Sequence, residues 1–558
     1  MNSPRTILLI AFAVVTFYLY NNWVMESAPG TQPAKTEQTT STNTASTADD
    51  EAASVPSNVV SDDGSVPNTQ ERQLAPQDGV IHVSTDVLDV TIDKRGGDII
   101  AAELNQYAKT QGSKERFQLL HQTPGDIYVA QSGLIGENGI DNQTGRPLYK
   151  VNKDKFVMAG DTLSVPMTYT DANGNVFTKI YTFTKGHYDV DVSYEITNTS
   201  DQPLNVRFYG QLKQTMGEGS GSMVMPTYRG AAYSYQEDKF EKYDFDDMRD
   251  KPLKLNATTG WVGMLEHYFV SAWVPRGTSE NTFFTRVVNG DQAIIGMIYP
   301  SVTIAPGETN KISSTIFVGP KDQDAMAKVT DYLDLTVDYG FLWWIAQPIF
   351  KLMQWLHSFL MNWGLAIIAT TIIVKGLLFP LTKAQYESMA KMRLIQPKMK
   401  ALRERHGSDR QKMSQAMMKL YQEEKVNPLG GCLPMILQLP IFLALYWVFL
   451  ESVELRHADF FLWINDLSAK DPYYVLPILM GISMFIMQRL QPTPATDPMQ
   501  QKLFQYMPVI FTVFFLWFPS GLVLYWLVSN LLTITQMTII YRGLEKKGIM
   551  TRKKKKRA

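Results

Sequence analysis

Trp363-Gly-Leu-Ala-Ile-Ile-Ala-Thr-Thr-Ile-Ile-Val-Lys375-Gly-Leu-Leu-Phe-Pro380 decides the class of this chain. The run is long enough to span the hydrocarbon core of a bilayer, yet it carries a lysine. An ammonium at such depth costs on the order of 3 kcal/mol by insertion scales, so it is expected to face water, a partner or a substrate. Lys375 is therefore the first functional candidate.

Five further apolar segments run roughly through residues 6–24, 433–450, 473–490, 503–518 and 522–540. The first, with no clean small-residue cleavage site after it, reads as an uncleaved anchor (residues 1–25). Basic residues then orient the spans. Residues 382–428 hold 11 Lys and Arg and the tail 542–557 holds 9, whereas the loop 452–472 has only Arg456 and Lys470. Both basic segments belong in the cytoplasm, which puts both termini inside and residues 25–358 outside. That outer part has 27 basic against 42 acidic residues, and the rest has 26 against 12. An acidic soluble body is thus joined to a basic membrane body. The single cysteine, Cys432, excludes an intramolecular disulfide and reads as a packing residue.

Residues 26–78, rich in Thr, Ser, Ala, Pro and Gln, read as a disordered tether. From residue 79 to 339 strand patterns take over. Val176–Thr184 is β-branched and aromatic, Tyr188–Ile196 alternates, and Asp171-Ala-Asn-Gly and Val288-Asn-Gly-Asp mark turns. A large extracytoplasmic antiparallel β-sandwich is expected. His187 and His267 lack metal-ligand spacing, and no cofactor is expected. Tyr233, Tyr235 and Tyr243 read as a solvated loop that could alternatively hold a sugar or partner. The aromatic stretch 340–358 (Phe341, Trp343, Trp344, Phe350, Trp355) reads as an amphipathic helix lying at headgroup level.

Residues 359–548 form the membrane body, interrupted by a cytoplasmic helical hairpin over 383–426. Met389, Met392, Ile395, Met399 and Leu402 recur at intervals of three and four, as do Met413, Met417 and Leu420. Ser408 with Gln411 makes a capping box between the two helices. The methionine-rich seam reads first as helix packing, and second as an adaptable surface for substrate segments.

In the last span Tyr525, Ser529, Thr533 and Gln536 share one face, Thr371 lies one turn from Lys375, and Gln438 sits between Pro434 and Pro440. Converging, these would line a wet concavity; separately, they would bond their own helices or glue neighbours together. No Asp or Glu falls within a span, and no nucleophile–base pair or phosphate loop is visible. The chain is not expected to be an enzyme. A solute transporter and a membrane-anchored periplasmic carbohydrate-binding protein are the alternatives to a polypeptide-handling role.

At Pro380-Leu-Thr-Lys-Ala-Gln-Tyr386, Asn427-Pro-Leu-Gly-Gly-Cys432, Pro440-Ile-Phe-Leu-Ala-Leu-Tyr446, Thr496-Asp-Pro-Met-Gln-Gln501 and Phe515-Leu-Trp-Phe-Pro-Ser-Gly-Leu-Val-Leu-Tyr525, the chain resembles the YidC membrane-protein insertases of Gram-negative bacteria. The resemblance implies a polytopic α-helical membrane protein of six spans, with a five-helix insertase core and a periplasmic β-supersandwich. It implies an inner-membrane location and a hydrophilic groove open to cytoplasm and lipid. Its implied partners are nascent membrane proteins, the Sec translocon (SecYEG and SecDF), translating ribosomes met by the basic tail 549–558, and the lipid bilayer, with a monomer sufficing. The groove positions are Lys375, Thr371, Gln438, Tyr525, Trp526, Ser529 and Thr533. Lys375 stands where the family usually has arginine, which keeps the charge and loses the planar fork. Trp526 stands where the pattern has a second tyrosine.

Overall fold

A computed structural model describes residues 79–142, 145–217, 227–406, 410–424, 433–490 and 498–546. The expected anchor 1–25, tether 26–78, Ser408 of the capping box, Cys432 and the tail 549–558 lie outside the described residues.

Strands between Val80 and Pro320 form two sheets, one of eleven strands and one of eight. Pairing is antiparallel throughout with one departure: Val80–Ser84 runs parallel to Lys155–Val157. The expected strand forms over Val176–Thr184, and in it Phe177, Lys179, Tyr181 and Phe183 point inward. The turn before it is built by Asp171, whose Oδ1 accepts from the backbone N–H groups of Asn173 and Asn175 at 2.8 and 2.9 Å. Gly174 beside it has φ of +86°, a backbone that favours glycine. Tyr233, Tyr235 and Tyr243 form a cluster of rings with centroids 6.0 and 6.2 Å apart.

Sequence patterning did not flag the charge at the centre of this domain. Lys179 is fully buried, and its ammonium donates to the carbonyl oxygens of Gly96, Gly97 and Ser132 at 3.1, 2.8 and 3.0 Å. Arg146 pairs with Asp98 and, at 2.8 Å, with Asp141. Two carboxylates therefore meet two cations inside the sandwich, the arrangement a buried charge requires. Burial pushes the Lys179 ammonium down to about 7.

Ten helices of the described residues are numbered here in chain order: α1 (Phe245–Asp250) and α2 (Gln323–Val329) within the β domain, then α3 (Trp343–Leu360), α4 (Trp363–Leu377), α5 (Phe379–His406), α6 (Arg410–Glu423), α7 (Leu433–Glu451), α8 (Val475–Leu490), α9 (Pro498–Phe514) and α10 (Ser520–Lys546). The apolar segment ending at Pro380 is not one straight helix. The chain breaks at Leu378 and α5 leaves α4 at 62°. Pro380 then occupies the first turn of α5, where a missing N–H costs nothing. The hairpin's first helix accordingly begins before residue 383. Ile395 and Leu420 are buried in the hairpin, and Met389, Met392, Met399, Met413 and Met417 are half-buried.

By itself α10 is long and apolar enough to cross a membrane, and the bent pair of α4 and α5 makes a second candidate. Gln438–Glu451, Val475–Leu490 and Gln505–Trp517 are apolar but shorter than the roughly 20 residues of a full crossing.

One continuous hydrophobic core runs from the sheets through Leu333, Tyr339, Ala346 and Phe350 to Ile367, Leu445 and Val523. Helix α3 turns Ala346, Phe350 and Met353 into that core and leaves Trp343, Trp344, Trp355 and Phe359 exposed. The seam is also polar. Arg456, over the rings of Phe117 and Phe269, donates to the carbonyl oxygens of Ala108 and Lys109 at 2.8 and 3.2 Å. The His267 imidazole bonds the Leu450 carbonyl at 2.9 Å.

Candidate functional site

Helix α4 starts on a side-chain cap, Asn362 Oδ1 accepting from the Leu365 N–H at 3.0 Å. Lys375 lies in its last turn, where a cation complements the helix dipole. Only 7% of the residue is exposed. Its Nζ does not reach out to open solvent. It donates to Thr533 Oγ1 on α10 at 3.2 Å, and that hydroxyl in turn donates to the Ser529 carbonyl at 2.7 Å. A second bond ties the same two helices: Gln536 Nε2 donates to the Lys375 carbonyl at 3.2 Å. The spacing of Ser529, Thr533 and Gln536 thus brings one face of α10 against the Lys375 turn.

The remaining sequence candidates divide. Thr371 is buried one turn below Lys375, with its hydroxyl donating to the Ile367 carbonyl of its own helix at 2.7 Å. Ser529 is buried with the stripe. Tyr525 is buried between Phe442 and Phe449 of α7, ring centroids 6.4 and 5.9 Å away. Trp526 packs on Phe442, Phe511 and Phe515 at 4.5, 5.9 and 4.6 Å, an aromatic seat on the neighbouring face. Gln438 is half-buried on α7, and among the described residues it makes no bond to the Lys375–Thr533 pair. Beside the lysine, Gln536 Oε1 is buried without a protein partner, and on another face of α4 so is Thr370 Oγ1. Buried acceptors and hydroxyls of that kind are satisfied by water or by an incoming polar chain.

Two residues of the helical body escaped the sequence reading. Asn530 Nδ2 donates to Ser483 Oγ on α8 at 2.9 Å, and Ser483 donates to the Met480 carbonyl at 2.6 Å. An asparagine in an apolar helix was the available signal, but it sits off the polar stripe that drew attention. Chemically the site is one ammonium held by one hydroxyl. It can attract a carboxylate or a carbonyl dipole and offer hydrogen bonds; among the described residues no metal-binding group of side chains exists.

The chain matches two family models, the YidC periplasmic domain over residues 80–352 and the 60Kd inner membrane protein over residues 355–547. It is 52% identical to a membrane protein insertase YidC of Actinobacillus succinogenes, over 100% of both chains. The chain belongs to the YidC family of membrane protein insertases. It is likewise 54% identical to the YidC insertase of a Shewanella species, over 98% of this chain and 100% of that one. Among solved structures it is similar to an active YidC insertase with its first transmembrane domain resolved, at 19% identity and a TM-score of 0.37, over 84% of this chain and 93% of that one. YidC proteins are inner-membrane proteins with a periplasmic domain, and they are insertases rather than enzymes. The two matched regions meet within α3, between residues 352 and 355.

Proposed function

We propose that this protein inserts nascent membrane proteins into the inner membrane, using the Lys375 face of α4 and α10 as a hydrated groove. The polar flank of a client slides along Lys375, Thr371, Ser529 and Thr533 while its apolar segment passes sideways into lipid. Burial of that segment releases about 25 cal/mol per Å², and the groove lowers the barrier for the flank that hydrocarbon would repel. The observation that carries this reading is the buried Lys375 ammonium, turned onto Thr533 rather than out to solvent. Tyr525 forms the aromatic floor of the path, Trp526 braces it from the neighbouring face, and Gln438 is its far wall. The chain crosses the membrane six times around a five-helix core, with both termini cytoplasmic and the β domain periplasmic. The basic residues of 382–428 and 542–557 support that orientation. The Sec translocon and the translating ribosome are its working partners, the ribosome through the basic tail 549–558.

Site-specific crosslinking from positions 375, 533 and 525 to a stalled nascent membrane protein tests the path. Adducts at all three support it. Adducts only from lipid-facing control positions such as Ile482 contradict it.

A further inference from the structure

A cavity of about 330 Å³ lies between the β domain and the end of α7, away from the Lys375 site. Lys242 and Lys321 reach it from the β domain, Asp338 and Gly340 from the connector, and Trp447 and Glu451 from α7. Lys321 is 4% exposed and Glu451 8% exposed. Lys242 and Asp338 satisfy each other at 2.6 Å, and Asp338 also accepts from the Gly340 N–H at 2.7 Å. Gly340 holds the connector in a left-handed turn, φ +58°, with the indole nitrogen of Trp447 at ordinary van der Waals range of a side chain placed there.

Lys321 and Glu451 differ from that neighbouring pair. Both line the cavity, and each is the other's leading opposite charge, yet neither side chain makes a direct hydrogen bond or ion pair among the described residues. A buried ammonium and a buried carboxylate that attract each other across a cavity without a direct bond are a costly arrangement. A ligand carrying one anion and one cation completes both. In the orientation proposed above, on which this inference rests, the cavity sits where α7 leaves the periplasmic leaflet. The exposed Trp343 and Trp344 of α3 mark headgroup level beside it.

We propose that this cavity binds the phosphoethanolamine headgroup of a membrane lipid, with the phosphate on Lys321 and the primary ammonium donating to Glu451. The choice of headgroup follows from the donors required. A quaternary choline has no N–H for Glu451, and a glycerol headgroup has no cation for it. The lipid would bridge the β domain to α7 at the seam where the two bodies meet.

The test is native mass spectrometry of the full chain in detergent with equimolar short-chain phosphatidylethanolamine, phosphatidylcholine and phosphatidylglycerol. One phosphatidylethanolamine should be retained in preference to the other two. Lys321→Met and Glu451→Gln should each weaken retention about tenfold or more, the loss of one charge-assisted hydrogen bond. A thermal melt in the same detergent checks that each variant is folded. If Lys321→Met does not fold, Glu451→Gln decides alone, because it changes charge and not shape. Equal retention of the three lipids, or unchanged retention by folded Glu451→Gln, overturns the proposal. Displacement of the lipid by soluble phosphoethanolamine supports the headgroup contacts; binding of the soluble compound with no lipid retained overturns the lipid as its source. Insertion activity enters none of these readouts, so failure here is separate from failure of the proposed function.

Discussion

The Lys375 ammonium donates to the Thr533 hydroxyl at 3.2 Å, while the Lys375 backbone carbonyl accepts from Gln536 at 3.2 Å. One residue thus holds α4 to α10 twice, once by its charge and once by its backbone. In the proposed mechanism only the charge-bearing contact is exchanged for a client. The lysine stem is long and flexible, so releasing Thr533 costs little when a better acceptor arrives.

The Asn530–Ser483 bond should work purely as a strut between α10 and α8. Asn530→Ala is expected to lower stability by about 1 kcal/mol, the usual worth of such a bond within a membrane. Adding Ser483→Ala should cost little more, because the two changes remove the same contact. Full additivity in a double-mutant thermal melt would deny the coupling.

The buried charges of the β domain balance as a set. Lys179→Met leaves Asp98 and Asp141 facing Arg146 alone, at an expected cost of about 3–5 kcal/mol. Asp98→Asn on top of it should recover part of the loss, since one Asp98 oxygen already lacks a partner that an amide would take away. Denaturant unfolding of the full chain in detergent measures both. A double variant no better than Lys179→Met would show that the carbonyl contacts, not charge balance, matter.

His267 should give the seam between the two bodies a pH dependence. Burial, with Lys321 nearby, pushes its imidazole from 6.5 down to about 4. The unfolded chain therefore takes up a proton below about pH 6.5 that the folded protein refuses until about pH 4. Stability is complete above that window and falls by as much as about 3 kcal/mol across it as the pH drops. His267→Gln keeps a donor for the Leu450 carbonyl and removes the titration, so its melting temperature should fall less between pH 7 and 4.5. An unchanged slope would assign the acid sensitivity to other groups.

Removal of residues 552–557 takes away six basic side chains. Ribosome binding should weaken, and its fall with added salt should become shallower, as expected when phosphate contacts are lost. Co-sedimentation at two salt concentrations measures this. Unchanged binding would reduce the tail to a topology signal or an anionic-lipid contact.

What the residues disclosed in advance followed their periodicity. The β-branched and aromatic run Val176–Thr184 announced a strand, and the 4-4-3 spacing of Tyr525, Ser529, Thr533 and Gln536 announced a single helical face. That face did meet Lys375. Trp526, one position from Tyr525, necessarily points elsewhere, and the packing against Phe442 and Phe515 reflects it. The 62° break at Leu378 was not legible, because a proline at a helix start and a proline at a helix end leave the same local trace. Lys179 was not singled out by its pattern, since its partners come from Gly96, Gly97 and Ser132, far along the chain. Glu451 and Lys321 escaped for the same reason: their shared cavity exists only once the β domain sits on α7.

The central claim is that a positive charge at position 375 carries the polar flank of a client. Its most direct measurement is the insertion rate of a single-span client into liposomes containing only this protein, compared across Lys375, Lys375→Arg and Lys375→Ala. Arginine should sustain insertion, and alanine should lower it about tenfold or more, since roughly 1.4 kcal/mol of barrier is enough for that. Equal rates for arginine, alanine and the native lysine would remove the charge from the mechanism.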